Sequence, residues 1–499
     1  MTSHPNSDAE RAAADALDPL LMIDGAWQRG EGPEFEVVDP TTEIAVGRVA
    51  SASPQQVAAA IEGARRSFDG GSWSRLAAAD RSLVLTRASE ALAAARESLI
   101  DLFVSETGCP VSLTRALQVD AMLEHFSWFA EAARRGPDWG FERALPVHLG
   151  PPASASALVR EPIGVVAALT PYNIPLLTAA WKVGAALAAG CSAILAPSPR
   201  AALSTHAWVR ALSEADLPPG TVSFVVGDET VGRSLTESPL VDMVSFTGSN
   251  AVGRHVMRQA AGGFKRLVLE LGGKSPNLVL PGADVEAAAP PSILRFCRNA
   301  GQACGATTRT FVHRPDLDRY AAASRDFMST LAIGDPREEK TVIGPLITAE
   351  HRDRVGGYVE RALANGATIA AGGGRGLPAA GWFMEPLLVT DVSNRDEISR
   401  DELFGPVGVL IPYDDVEEAI KMANDSRYGL NANVWGATNE DALAVARHIR
   451  SGTVTINGGG GLRPDAPFGG YRESGLGREA GDAGLAEFLE TKHLQWPVG

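Results

Sequence analysis

The chain is poor in cysteine, lysine and long apolar runs. Its four cysteines, Cys109, Cys191, Cys297 and Cys304, include no CxxC pair, and its nine histidines show no metal-ligand spacing. Neither a disulfide framework nor a metal site is expected, and the sequence predicts a reducing compartment with one or two reactive thiols. No apolar stretch reaches the roughly 18 residues that span a bilayer. The longest candidate, Trp181 to Pro197, is interrupted by Lys182. Residues 1–18 lack a basic segment followed by an apolar one, so they predict a disordered tail and no signal peptide. Cytoplasmic location without a membrane partner is the expectation. Basic residues are outnumbered 60 to 45, a net charge of −15. Such a surface repels phosphate backbones, so no nucleic-acid partner is expected. Only six of the basic residues are lysine, a bias of the coding sequence and not of function.

What is present is an ordinary globular composition, 45% hydrophobic and 21% charged, over 499 residues. That length suits two to four domains, or two large ones. Ile23–Trp27 and Glu34–Val38 read as short strands, and 54–68 and 77–107 as amphipathic helices. From Gly164 short apolar runs alternate with helical segments: 165–169, 176–189, 192–195, 203–215, 222–226, 243–246, 251–261 and 266–271. The alternation returns after Ala283, through 311–313, 322–331, 352–364, 432–435 and 454–457, and the chain closes on a strand-like tail, 485–497. Strands alternating with helices of this length mean β-α-β units and parallel sheets. The expected fold is α/β, with two doubly wound parallel-sheet domains.

Four segments carry possible chemistry. Glu270 ends an apolar strand just before Gly272-Gly273-Lys274, at the place where α/β sheets bind ligands; a solvated strand end explains it equally well. Cys304 lies in the small-residue turn Gly301-Gln302-Ala303-Cys304-Gly305, although a free cysteine is more often a buried packing residue. In Thr170-Pro171-Tyr172-Asn173-Ile174-Pro175 an asparagine amide stands between a strand and a helix, where it can donate to an oxyanion or simply make a turn. Phe246-Thr247-Gly248-Ser249 joins a strand to a helix, a place for a pyrophosphate. Alone this signal is weak.

Together and in order, these segments resemble the aldehyde dehydrogenase superfamily. The resemblance runs from about Ile23 to Lys492. It includes Pro162-Ile163-Gly164, Thr170 to Pro175 with Trp181-Lys182, Phe246 to Ser249, Leu269 to Lys274 and Gly301 to Cys304. Glu402-Leu403-Phe404-Gly405-Pro406 and Pro467-Phe468-Gly469-Gly470 through Gly477-Arg478-Glu479 complete it. It implies a Rossmann-like cofactor domain over 19–139 and 159–271, a catalytic domain over 272–473, and a small β oligomerisation element from 140–158 and 474–499. It also implies a homodimer or homotetramer.

The resemblance further implies hydride transfer from an aldehyde to NAD, with NADP possible. Cys304 is then the nucleophile that forms a thiohemiacetal and a thioester, Asn173 the oxyanion donor, Glu270 the base for water, and Lys182 with Glu479 a pair that passes the proton outward. The same pair read from the residues alone is an internal salt bridge. Cofactor contacts fall on Thr170, Pro171, Tyr172, Pro197, Gly227, Phe246, Gly248, Ser249, Leu271, Glu402 and Phe404. Substrate contacts fall on Ile174, Thr178, Phe129, Leu462 and Phe468, with Ala303 and Arg463 nearby. Two departures stand out. Tyr172 replaces the usual tryptophan before the asparagine. Ala196 and Pro199 replace the lysine and glutamate that hold the adenosine ribose, leaving Arg200 as a substitute. A hydrophobic aldehyde is the expected substrate and an acidic semialdehyde the alternative. A relative acylating CoA is disfavoured by Glu270, and a non-catalytic protein by the set Asn173, Glu270 and Cys304. The run Gly458 to Gly461 reads either as a flexible loop or as one that a substrate approaches closely.

Overall fold

A computed structural model describes residues 20–134 and 142–498. The expected tail at 1–18 lies outside the described residues, as do 19 and 135–139 of the expected cofactor domain and 140, 141 and 499 of the expected oligomerisation element. Two parallel sheets dominate, each with its own buried core. In the first, strand Val165–Thr170 is followed outward by Ser192–Pro197 and Val222–Phe224; the chain then crosses to the other side for Met243–Thr247 and Arg266–Glu270. These five are parallel, and the order reverses between Val165–Thr170 and Met243–Thr247. Ligands of such sheets bind beyond the carboxyl ends of the strands at that reversal, here just past Thr170 and Thr247. The second sheet runs Thr368–Gly372, Leu387–Thr390, Val407–Tyr413, Arg309–His313, Pro276–Val279, Asn431–Trp435, Thr453–Ile456, parallel except at its first strand. Only Leu271 to Ser275 separate Glu270 from Pro276. The carboxyl ends of the first sheet therefore meet the amino ends of the second.

The strands are apolar because both faces are covered; Val165, Val166, Ala167 and Ala168 are all fully buried. The expected helix over 77–107 is two helices, Ala78–Ala94 and Arg96–Thr107, broken at Ala95. The segment 176–189 is continuous but widens to a π-helix over Ala180–Gly184. The small antiparallel sheet is Glu142–His148, Ser154–Pro162 and Leu489–Pro497. Two boundaries differ from expectation. The middle strand runs on to Pro162, past residue 158. Residues 474–488 belong to the first sheet's core: Gly475–Leu476 pairs with Leu269 and Glu270, and Ala480, Leu485 and Phe488 bury apolar surface there. No described helix is long and apolar enough to cross a membrane.

Candidate active site

The seam between the two sheets gathers most of the singled-out residues. Glu270 is 2% exposed at the end of its strand, with Oε1 lacking a hydrogen-bond partner. Burial pushes its carboxyl up to about 8; the Cys304 thiol, within hydrogen-bonding reach, opposes this, Glu479 adds to it, and Lys182 partly offsets it. Cys304 is the one free cysteine that is not fully buried. Desolvation first, then the negative charge of Glu270, raises its thiol well above the ordinary range. The two glycines after Glu270 have a steric cause. A side chain at Gly273 would lie 2.5 Å from the carbonyl oxygen of Cys304, so the strand end and the thiol turn meet backbone to backbone.

That turn is strained. Asn299 and Ala300 both take left-handed conformations, φ 54° and 51°, and Gly301 follows at 75°. A non-glycine residue in this region costs about 1–2 kcal/mol, and such strain persists only where surroundings over-determine it. Gln302 provides the surroundings. Its side chain accepts from the Ile347 amide at 3.0 Å and the Tyr172 hydroxyl at 3.1 Å, and donates to the Asn299 carbonyl at 3.1 Å. Its own carbonyl accepts from Asn173 Nδ2 at 2.9 Å. The Asn173 carbonyl in turn accepts from Gln118 Nε2 at 2.8 Å. The Asn173 amide is thus fixed two residues from Cys304. Gln302 and Gln118 hold the site; Gln302 lies in the thiol turn that the sequence marks, without a role given to it there, and Gln118 lies in no marked segment.

Lys182 is fully buried and Glu479 is 3% exposed; Lys182 Nζ donates to Glu479 Oε1 and, at 3.1 Å, to Ser245 Oγ. Glu479 Oε2 has no partner among the described residues.

The expected cofactor residues line the carboxyl ends of the first sheet and the facing amino ends of the second. Thr170 and Thr247 end adjacent strands with hydroxyls that are buried and without partners, donors suited to an anionic ligand. Ser249 caps the helix Asn250–Ala261 by accepting from the Val252 amide, so that helix's amino end faces the same crevice. Phe246, Leu271 and Pro197 are buried beside these groups, and Pro171 is half-buried. Gly227 follows the strand Val222–Phe224 and packs against Val231. Glu402 Oε1 accepts from the Gly273 amide at 2.9 Å, and burial raises its carboxyl to about 7. Phe404 sits at φ 58°, edge-on to Tyr172 at 6.1 Å, with its carbonyl bonded to His351 Nε2 at 2.7 Å. His351 was missed. Nothing in its local sequence marks it, and only the fold brings it beside Phe404. These residues fit a dinucleotide. Ala196 is buried opposite Leu169, and Arg200 lies within electrostatic reach of Tyr172, Glu350 and His351.

Ile174, Leu462 and Phe468 are half-buried on the rim of the first core. Thr178 and Phe129, expected beside them, are each 1% exposed. The Thr178 hydroxyl donates to the Ile174 carbonyl at 2.7 Å, and Phe129 packs on Gly184. Gly458 and Gly460 are left-handed at φ 72° and 113°, and a side chain at Gly458 would strike the Trp435 ring; backbone geometry is what this glycine run serves. Among the described residues no cluster suits a metal.

The profile of the aldehyde dehydrogenase family matches residues 27–494. A 3-succinoylsemialdehyde-pyridine dehydrogenase of a Pseudomonas species is 40% identical over 478 residues, 95% of this chain and 97% of that protein. Among solved structures, aldehyde dehydrogenase C of Pseudomonas syringae, as a variant complexed with NAD+ and octanal, superposes with a TM-score of 0.91 at 38% identity, covering 96% of this chain and 97% of that one. The NAD+ complex of an aldehyde dehydrogenase from Bacillus cereus gives 0.93 at 33% identity over the whole of both chains. With its paired sheets, its seam and these likenesses, the chain belongs to the aldehyde dehydrogenase family of oxidoreductases.

Proposed function

We propose that the protein oxidises an apolar aldehyde to its carboxylic acid with NAD, using Cys304 as nucleophile. The observation that carries this reading is the convergence of Glu270, Cys304 and Asn173 at the seam between the sheets. The Cys304 thiol adds to the aldehyde carbon, and Glu270 is the acceptor within reach of its proton. The Asn173 amide, held by Gln302 and Gln118, faces the oxyanion together with the Cys304 N–H; one such donor is worth about 3 kcal/mol of barrier. When bound, the nicotinamide accepts the hydride. Thr170, Thr247, Gly248, Ser249, Glu402 and Phe404 would hold the cofactor. Lys182 with Glu479 carries the thiol's proton away and so returns Glu270 to its carboxylate; Glu270 then takes a proton from the water that hydrolyses the thioester, and that proton leaves by the same pair.

The pairing of Arg463 supports the apolar class of substrate. It is the one basic side chain expected near the entrance, and it is spent on a bidentate pair with Asp465 at 2.9 and 2.7 Å. A substrate carboxylate would have to compete with Asp465 for Arg463, whereas Ile174, Leu462 and Phe468 offer apolar surface. The octanal in the Pseudomonas syringae complex is an aldehyde of this kind. Absence of a carboxylate at Pro199 leaves the ribose site open to both cofactors, and the NAD+ complexes of relatives favour NAD. The free cysteines support a cytoplasmic setting, and the small antiparallel sheet supports a homo-oligomer. The test compares octanal with succinic semialdehyde, each with NAD and NADP, by absorbance of the reduced cofactor. A larger kcat/KM for octanal with NAD is expected; preference for the semialdehyde overturns the substrate assignment.

A further inference from the structure

We propose that His125 is a positioning residue which, through Trp181, ties the wall of the aldehyde channel to the buried Lys182–Glu479 pair. The proposal rests on the reading of Phe468 as part of that wall. His125 is 1% exposed on the helix Ala121–Ala132, and its Nδ1 lies 2.9 Å from Trp181 Nε1. An indole nitrogen only donates, so Nδ1 accepts and the neutral ring carries its proton on Nε2. Burial keeps the ring neutral, lowering its titration to about 4, with Asp465 the charged group that opposes this.

The Trp181 ring lies on Phe468, centroids 5.1 Å apart and planes inclined by 33°. Phe468 and Glu479 exchange both backbone hydrogen bonds, each 2.7 Å. Glu479 accepts from Lys182, which follows Trp181 in the chain. The contacts therefore close a ring: Trp181, Phe468, Glu479, Lys182. In a helix consecutive residues point about 100° apart, yet Trp181 and Lys182 are buried at 2% and 0%. Both lie in the π-helical segment Ala180–Gly184, a distortion that recurs at functional sites. His125 is the anchor of this ring from outside it. An aldehyde pressing on Phe468 then bears on Trp181 and on the backbone that carries Glu479. Glu270 is the group that senses the displacement, since the charges acting on it come from Glu479, Lys182 and Glu402, beside the Cys304 thiol.

The test uses the full-length protein with three variants and two readouts: KM for octanal, and the pH dependence of Cys304 alkylation by iodoacetamide, which needs no turnover. His125→Leu keeps bulk and removes the acceptor. It should raise KM roughly fivefold or more, as the unpartnered Trp181 N–H no longer fixes the wall against Phe468, a change of about 1 kcal/mol in binding, and move the alkylation midpoint upward as Lys182 loosens. His125→Asn places an amide oxygen near the Nδ1 position and should stay close to wild type. Trp181→Phe, which lacks the N–H, should reproduce both changes, and adding His125→Leu to it should add nothing. Unchanged KM and midpoint in a folded His125→Leu protein, or additive effects in the double variant, overturn the proposal. If His125→Leu does not fold, unchanged values in Trp181→Phe overturn it instead. A wild-type protein that oxidises no aldehyde, while its alkylation midpoint still shifts with these substitutions, sinks the functional reading and leaves the ring standing.

Discussion

Glu270 and Cys304 face one another across the seam with their protons in the unreactive places: the carboxyl holds its proton to about pH 8, and the thiol holds its own more tightly still. A base that is mostly protonated at pH 7 limits the rate at neutral pH. Turnover should therefore climb with pH through a midpoint near 8. Glu270→Gln should remove that dependence; at a pH high enough to ionise the Cys304 thiol without its help, the variant should give a burst of about one reduced cofactor per site, followed by slow turnover as the thioester accumulates. Equal steady rates for variant and wild type remove Glu270 from the deacylation step.

The same group leaves a mark on stability. Glu270 binds its proton more tightly in the folded chain than in the unfolded one, so between about pH 4.5 and about 8 the folded state carries the extra proton. Stability contributed by this group is then lost as pH rises across that window, at up to about 1.4 kcal/mol per pH unit. Glu270→Gln keeps shape and removes the ionisation. It should melt above wild type at pH 8 and close to it at pH 5, a difference that calorimetry at the two pH values reads directly.

Alkylation separates the cysteines. Cys109, Cys191 and Cys297 are buried, and only Cys304 is partly exposed. Limited iodoacetamide should label one thiol per chain and stop turnover in step with labelling. Cys304→Ala should lose turnover and keep cofactor binding, whereas Cys297→Ala should keep both. Comparable losses in the two variants reject Cys304 as sole nucleophile.

Periodicity exposed the sheets because both faces of each strand are buried, so that runs such as Val165 to Leu169 stand out from their surroundings. The order of motifs exposed Glu270, Cys304 and Asn173. The supports of these residues were illegible for a physical reason. Gln118, Gln302 and His351 reach the site through hydrogen bonds to backbone atoms distant in sequence, and such contacts leave no local pattern. The burial of Thr178 and Phe129 was illegible for a related reason. Their family positions suggested an entrance, but the way the helix Pro175–Ala179 and the π-helical segment after it pack on Ala121–Ala132 turns both inward. The place of residues 474–488 in the first core likewise depends on a pairing between Gly475 and Glu270, which lie far apart in sequence.

The small antiparallel sheet has Glu142–His148 at one edge and Leu489–Pro497 at the other, and several apolar side chains of these edge strands are open to solvent. Val147 is 52% exposed, Leu494 44% and Trp496 48%. An edge with exposed apolar groups invites another chain, and closed symmetric pairing is the commonest result. Light scattering should return a multiple of 52.3 kDa. Leu494→Lys with Trp496→Lys should reduce it to the single-chain mass. A single-chain mass for the wild type at micromolar concentration rejects the assembly.

Lys182 and Glu479 allow structural and catalytic roles to be separated. Both are almost wholly buried, so removing one partner strands the other's charge, at a typical cost of about 3–5 kcal/mol. Replacing both with apolar groups of similar volume is often neutral or better. Lys182→Met alone and Glu479→Leu alone should therefore each lower the melting temperature, and the double variant should recover most of the loss. Turnover should behave differently. If the pair carries the proton that Glu270 takes from water, the double variant stays slow in deacylation despite its restored stability, and its burst of reduced cofactor persists. The unpartnered Glu479 Oε2 supports this outcome, because a purely structural pair has no use for a buried acceptor left open. Full recovery of both stability and steady-state rate in the double variant assigns the pair to structure alone.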